Sequence, residues 1–293
     1  MVGILWMLVT GLCFVAVTAL VKFMGAGVPP AQSAFLRYVI GSLMLAPVVW
    51  RVMRDTRLTR RQWTLFGARG TMHAVGVILW FYAMTRIPIA EVTAMNYLSP
   101  VYVTILAAVF LGEKLAMRRI AAILVALLGT LIILRPGFRE VNPGHLAMLL
   151  AAVVFGGSYI LAKITADEIH PGVVVGMLSL VVTITLAPFA AADWVTPTLY
   201  ELAILSAVAA FATFGHYTMT LALRAAPIAV TQPITFLQLI WATALGVLVF
   251  DEGLDIWVVT GGCFILAAIS FITWREAVLN RRIIAPPTPA TKF

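Results

Sequence analysis

The chain is written almost entirely in apolar runs of roughly 20 residues, each closed off by charges, proline or glycine. Reading those runs for the length that crosses a hydrocarbon core gives ten spans, at 2–22, 32–50, 64–84, 89–111, 117–134, 143–163, 171–190, 199–222, 228–250 and 256–274. The connections are short, which leaves no room between spans for a soluble catalytic domain. The first run starts at Val2 with no basic residue ahead of it and outlasts the apolar core of a cleaved signal peptide, so it reads as a retained helix. The Pro-rich tail, 277–293, is expected to be a disordered cytoplasmic extension.

The second half of the chain echoes the first. Pro88 matches Pro227, Ile89 matches Ile228, Ala90 matches Ala229 and Glu113 matches Glu252, every pair 139 residues apart. Gly76 with Gly215, Ala83 with Ala222 and Thr104 with Thr243 keep that offset. Upstream it becomes 141, pairing Gly3 with Gly144, Phe14 with Phe155 and Lys22 with Lys163, as a two-residue insertion or deletion in a loop would produce. Each half holds five spans, an odd number, so the second half must enter the membrane from the opposite side. The expected fold is therefore an all-α integral membrane protein. Its ten transmembrane helices form two inverted five-helix repeats, 1–139 and 140–276, around a central cavity.

Composition agrees with a lipid-facing surface. Hydrophobic residues make up 62% and charged residues 11%, with a mean hydropathy of +1.03, against roughly 25% charged residues in a soluble domain. The net charge of +8 does not point to nucleic acid, because the basic residues lie between spans rather than on one face. Of the 20 Lys and Arg, Lys22, Arg86, Arg135 and Arg139 fall in segments on one side and Arg37 and Arg69 fall within spans. The remainder lie on the other side, which places both termini inside.

Other chemistry is sparse. Cys13 and Cys263 sit in apolar runs, and His73, His145, His170 and His216 show no metal-ligand spacing, so no metal or cofactor is expected. A membrane enzyme would need a nucleophile with its base, and a channel would need a selectivity element or rings of charge; neither pattern is visible.

The stretch WFYAMTRIPIAEVTAMNYLSPVYVTILAAVFLGEKL and the following IAAILVALLGTLIILRPG resemble the EamA repeat of the drug/metabolite transporter superfamily. The matching features are the Pro88-Ile89-Ala90 turn, Leu98-Ser99-Pro100 within a helix, the ending at Glu113, and Gly129 ahead of Arg135-Pro136-Gly137. The second repeat departs from the pattern with Leu239 in place of Pro100 and Asp251 in place of Gly112. The AEVTAMNYLSP stretch is also similar to the equivalent helix of YddG-type amino-acid exporters. The resemblance implies a secondary transporter in a bacterial-type cytoplasmic membrane that moves small metabolites, with export of neutral or aromatic amino acids as the leading substrate class. Other metabolites, vitamins and drug-like compounds are the alternatives within the family. The implied partners are a small-molecule solute and the bilayer.

Polar groups inside spans are costly and tend to face a cavity or the bundle interior. In the fourth span Thr93, Asn96, Tyr97, Pro100 and Thr104 form one stripe at three- and four-residue steps. In the ninth, Thr231, Thr235 and Gln238 repeat it, with Gln232 and Pro233 beside them. His73 and Trp80 share a face of the third span, and His216 and Tyr217 lie in the eighth. With Trp6, Tyr38, Ser158 and Tyr159, these are the candidate cavity residues, set against the plainer reading of helix packing. Glu91, near the outer end of its span, is expected to pair with Arg37 or Arg86 and close the outer mouth. The apolar, small-residue-rich helices at 117–134 and 256–274 offer either a homodimer surface or internal packing.

Overall fold

The computed structural model describes residues 2–54, 58–111, 117–138, 140–166, 169, 171–225, 234 and 237–284. These fold into eleven α-helices: α1 Val2–Met24, α2 Pro30–Met53, α3 Arg60–Met84, α4 Ile89–Asn96, α5 Leu98–Leu111, α6 Met117–Leu134, α7 Pro143–Ala166, α8 Pro171–Ala192, α9 Leu199–Ala225, α10 Leu237–Phe250 and α11 Ile256–Ile284. Six of them (α1, α6, α7, α8, α9 and α11) are long and apolar enough to cross a membrane. Helices α2 and α3 have the length but carry Arg37 and Arg51, and Arg60, Arg61 and Arg69.

Local chemistry sets the helix ends. Thr59 caps α3 in a reciprocal box with Gln62: the Thr59 hydroxyl accepts from the Gln62 N–H, and the Gln62 side chain accepts from the Thr59 N–H. This carries the helix four residues ahead of the apolar run. Thr198 and Glu201 form the same box before α9. The fourth span is broken at Tyr97 into α4 and α5. Pro100 has no N–H to offer the Asn96 carbonyl and its ring crowds that oxygen, so the helix parts there. Helix α11 runs through 277–284, the start of the stretch assigned to a disordered tail. Nothing before Pro286 forbids a helix, and 285–293 lie outside the described residues.

The helices of one half pack on those of the other in a reciprocal pattern. Helix α1 packs on α9 and α3 on α7; α2 faces α8, α6 faces α11, and α4 meets α10. Ser42 and Thr183, 141 residues apart, place their hydroxyl oxygens 3.4 Å from each other across α2 and α8. Pro47 and Pro188, also 141 apart, are the prolines inside those two helices. A Cβ on Gly76 would come within 2.7 Å of the Phe155 ring, and one on Gly215 within 3.1 Å of Cys13 and 3.7 Å of Phe14. The caps at Thr59 and Thr198 keep the offset of 139, so the change of offset falls between Pro47 and Thr59. Asp251, where the first repeat has Gly112, takes a left-handed backbone with φ of 51°, a conformation glycine adopts without strain.

Helices α6 and α11 approach most closely at Gly129 and Gly261, so the surface weighed for a dimer is used for packing within the chain. A methyl group on Gly129 would lie 2.5 Å from the Gly261 carbonyl oxygen. Backbone cannot step aside as a side chain can. Gly129→Leu is expected to destabilise the detergent-solubilised protein by about 1–3 kcal/mol, read as a lowered thermal unfolding midpoint. An unchanged midpoint would show that the two helices do not touch at this glycine pair.

Candidate functional site

Polar side chains gather in two places, one midway along the helices and one at a single end of the bundle. The first is built from α2, α3, α7 and α9. Arg37 and Arg69 are each only 8% exposed. The Arg37 guanidinium lies over the Tyr38 ring, 3.8 Å from its centre. Arg69 Nη1 donates to the Val174 carbonyl of α8 at 3.2 Å, while its Nε has no hydrogen-bond partner.

Around the arginines runs a chain of rings. Tyr38 meets His73 edge-on at 6.2 Å, His73 lies 5.0 Å from Phe155, and Phe155 lies 6.4 Å from Tyr159. Ser158 Oγ donates to the Arg69 carbonyl and lies 3.4 Å from His73 Nδ1. On the other flank His216 packs edge-on to Phe14 at 5.1 Å. Arg37 lines one small hollow with His216, and Ser158 links the Arg69 backbone to His73, so both arginines border the chain of rings. Tyr159 is 44% exposed and ends the chain beside Phe155.

The structure therefore brings together Arg37, Tyr38, His73, Ser158, Tyr159 and His216 among the sequence candidates, and adds Arg69, Phe14 and Phe155. Others lie elsewhere. Tyr97 is buried in an apolar cluster with Leu98, Val101 and residues of α6 and α11. Tyr217, one residue past the inward His216, is 60% exposed on the outer surface of α9; the helical step of 100° turns it away. Trp80 packs against the core with its ring 6.0 Å from Phe81 and its Nε1 unpartnered. Asn96 and Pro100 are half-buried beside the helix break, Gln238 packs against Gly11, and Trp6 is half-buried with its carbonyl accepting from Thr10. Gln232 and Thr235 lie outside the described residues. Thr93 and Thr104 donate to the carbonyls of Ile89 and Pro100, four residues back on their own helices.

The second gathering lies where α1, α3 and α6 end and α4, α7 and α11 begin. Lys22 pairs with Glu252 and also donates to the Ile87 carbonyl, and the Ile89 N–H donates to the Glu252 carboxylate at 3.1 Å. Arg135 pairs with Asp255, and buried Glu91 pairs with buried His145. Gln32 bonds the Val195 backbone twice, its Nε2 donating at 2.6 Å and its Oε1 accepting at 2.9 Å. These bonds tie α1, α2, α4, α6 and α7 to the connections before α9 and α11.

The partner of Glu91 is thus His145, at the first turn of α7, and not Arg37 or Arg86. Arg37 is turned inward onto Tyr38, and exposed Arg86 folds back over the Tyr82 ring at 3.6 Å.

The hollows differ in kind. One, about 760 Å³, lies along α10 and α11 and is lined mostly by apolar side chains such as Leu239, Val247 and Leu266. It opens towards exposed Ile240 and Leu248, the lipid side. Small polar-lined hollows lie at the tied end, and another of about 20 Å³ lies between Arg37, Tyr38, Ser179, Thr213 and His216, room for about one water molecule. Among the described residues no three of His, Cys, Asp and Glu come together as a metal site would require. The Glu91–His145 pair is the test of the tied end. A double-mutant cycle with Glu91→Gln and His145→Ala is expected to give a coupling of about 1–3 kcal/mol in unfolding, and Arg37→Ala is expected to add independently of Glu91→Gln. Full additivity of Glu91→Gln and His145→Ala would contradict the pairing.

Three named proteins align along nearly the whole chain. The S-adenosylmethionine uptake transporter of Rickettsia bellii (strain RML369-C) is 27% identical over 278 residues, covering 94% of each chain. The pseudopaline exporter CntI of Pseudomonas aeruginosa (strain UCBPP-PA14) is 27% identical over 270 residues, covering 91% of this chain and 94% of its own. The riboflavin transporter of Rhizobium johnstonii is 28% identical over 284 residues, covering 96% and 94%. A solved crystal structure superposes with a TM-score of 0.63 at 19% identity, covering 97% of this chain and 99% of its own, which speaks to the fold alone. Residues 1–135 and 142–274 match the EamA-like transporter family. An all-helical bundle with apolar helices of membrane-spanning length, polar groups drawn to its interior and a family match over both halves leave one conclusion: the chain belongs to the EamA-like transporter family and is a multi-pass membrane transporter of small metabolites.

Proposed function

We propose that the protein is a secondary transporter that carries an amino acid, or a metabolite bearing an amino-acid head, across the cytoplasmic membrane by alternating access. The observation that carries this reading is the reciprocal packing of sequence-matched positions. Ser42 meets its own counterpart Thr183, and the Gly76–Phe155 and Gly215–Phe14 contacts pair the same matched residues in opposite sense. Two halves related in this way by an axis in the membrane plane can exchange conformations and expose a central site to each side in turn. On this reading the six apolar helices, together with α2, α3, the broken α4–α5 and the segment ending in α10, make ten spans. The halves divide near residues 139 and 140, and both termini lie in the cytoplasm.

The tied end then faces outward and is the closed outer gate. The polar cavity of about 20 Å³ is the collapsed form of the solute site, lined from one half by Arg37 and Tyr38 and from the other by Ser179, Thr213 and His216, with His73 beside Tyr38. Asn96 and Pro100 sit where the broken fourth span leaves backbone to be satisfied. The amino-acid assignment draws on the family resemblance and on a relative named for S-adenosylmethionine, itself an amino-acid derivative. Relatives named for uptake and for export both exist, so the direction assigned here, export, follows from the likeness to amino-acid exporters.

Reconstituted protein preloaded with unlabelled L-phenylalanine, L-methionine or S-adenosylmethionine is expected to take up the labelled solute saturably, and faster than empty vesicles do. A flux that rises linearly with concentration and ignores internal solute would mark a pore. Uptake of none of the three would overturn the amino-acid assignment.

A further inference from the structure

Two guanidinium groups buried within lipid-embedded helices present a problem of charge that no ion pair among the described residues solves. The ion pairs among the described residues, Lys22–Glu252, Arg135–Asp255 and Glu91–His145, include neither Arg37 nor Arg69. Each guanidinium carries five N–H donors. Arg37 has the face of the Tyr38 ring, and Arg69 has the Val174 carbonyl and a buried Nε with no partner. A cation held at membrane depth is costly, and where it is retained it marks a pathway or a ligand's counter-charge. An arginine serving only to fasten helices would have its donors filled by carbonyls, and Arg69 does not.

We infer that Arg37 and Arg69 form the recognition site for the carboxylate of the transported solute, an inference that rests on the transport reading above. A carboxylate offers two oxygens to the planar fork of a guanidinium and supplies the missing negative charge. The arginines come from α2 and α3, in the first half, and the walls around them from both halves, so a solute held here bridges the elements that must move. In the closed conformation Tyr38 stands in for the solute, its ring stacked on the Arg37 guanidinium. The neighbouring surfaces are aromatic, from His73, Phe155 and Tyr159, and suit a flat or apolar group beside the carboxylate. The solute class is thus a monocarboxylate with a compact apolar or aromatic portion. Riboflavin, the solute in one relative's name, carries no carboxylate and belongs outside that class.

Proteoliposome counterflow distinguishes this site from the general reading. In the unmodified protein, L-phenylalanine and L-methionine are expected to compete with labelled solute at least tenfold more strongly than L-phenylalaninamide and L-methioninamide. Arg69→Gln and Arg37→Gln are each expected to raise KM about tenfold to a hundredfold and to abolish most of the preference for acid over amide. Arg37→Lys and Arg69→Lys should restore part of that preference by restoring the charge. Monodisperse elution and an unfolding midpoint near that of the parent protein identify the variants that fold. The acid-against-amide comparison needs no variant at all. Saturable counterflow in which acids and amides compete equally, or in which folded glutamine variants keep the parental KM, overturns the carboxylate site and leaves the transporter standing. Absence of saturable counterflow for every solute overturns the transport reading, and this site with it.

Discussion

Lipid offers a polar group nothing, and that constraint organises this molecule. Any hydroxyl, amide or charge placed in the apolar helices must be satisfied inside the protein or be driven to the helix ends. The threonines solve it locally: Thr18, Thr93, Thr104, Thr130 and Thr260 each donate to the carbonyl four residues back. The charges Lys22, Glu91, Arg135, Glu252 and Asp255 go to helix ends and pair there. Arg37 and Arg69 do neither. They are buried within helices and join none of the ion pairs among the described residues, and this exception is where function is expected.

The same constraint explains how two halves of modest sequence similarity hold together. Helix faces in lipid gain little from hydrophobicity, so they depend on close contact and on matched shapes. Glycines provide the contact, Gly129 against Gly261 at one seam and Gly76 under the Phe155 ring at another. Because helices of one half lie against helices of the other, a tilt of either half changes every seam at once. The ties at one end, Lys22 to Glu252 and Glu91 to His145 above all, cross between the halves and hold one arrangement of those seams.

Much of the fold was legible in the sequence because its signals are long and redundant. Twenty-residue apolar runs, a repeat that keeps register over dozens of positions, and Pro100 inside a helix each mark the element they produce. The site was legible only in part. His73, Tyr159, His216 and Arg37 stood out as polar groups at membrane depth, but facing depends on helical phase, and phase sends Tyr217 outward and Tyr97 into a second apolar cluster. Arg69 was visible as a charge within a span and weighed only for orientation; its depth was the signal for a site. The Glu91 partner was beyond sequence reasoning. Choosing Arg37 or Arg86 assumed that opposite charges near one end find each other, whereas helix packing brings His145, 54 residues along the chain, against Glu91 and turns both arginines away. Gln32, fully buried and bonded to the Val195 backbone, carries no sequence signal that separates it from an ordinary helix-start polar residue.

The central claim is that the end tied by Lys22 and Glu252 is a gate that opens when the two halves exchange conformation. Spin labels at exposed Ala26 and Leu254, one beside each partner of that pair, measure its width directly in lipid nanodiscs by electron–electron distance measurement. The account predicts two distance populations whose ratio shifts on adding a transported solute, with Glu252→Gln moving the balance to the longer distance. A single distance, unmoved by solute and by Glu252→Gln, would contradict it and make the tied end a fixed part of the scaffold.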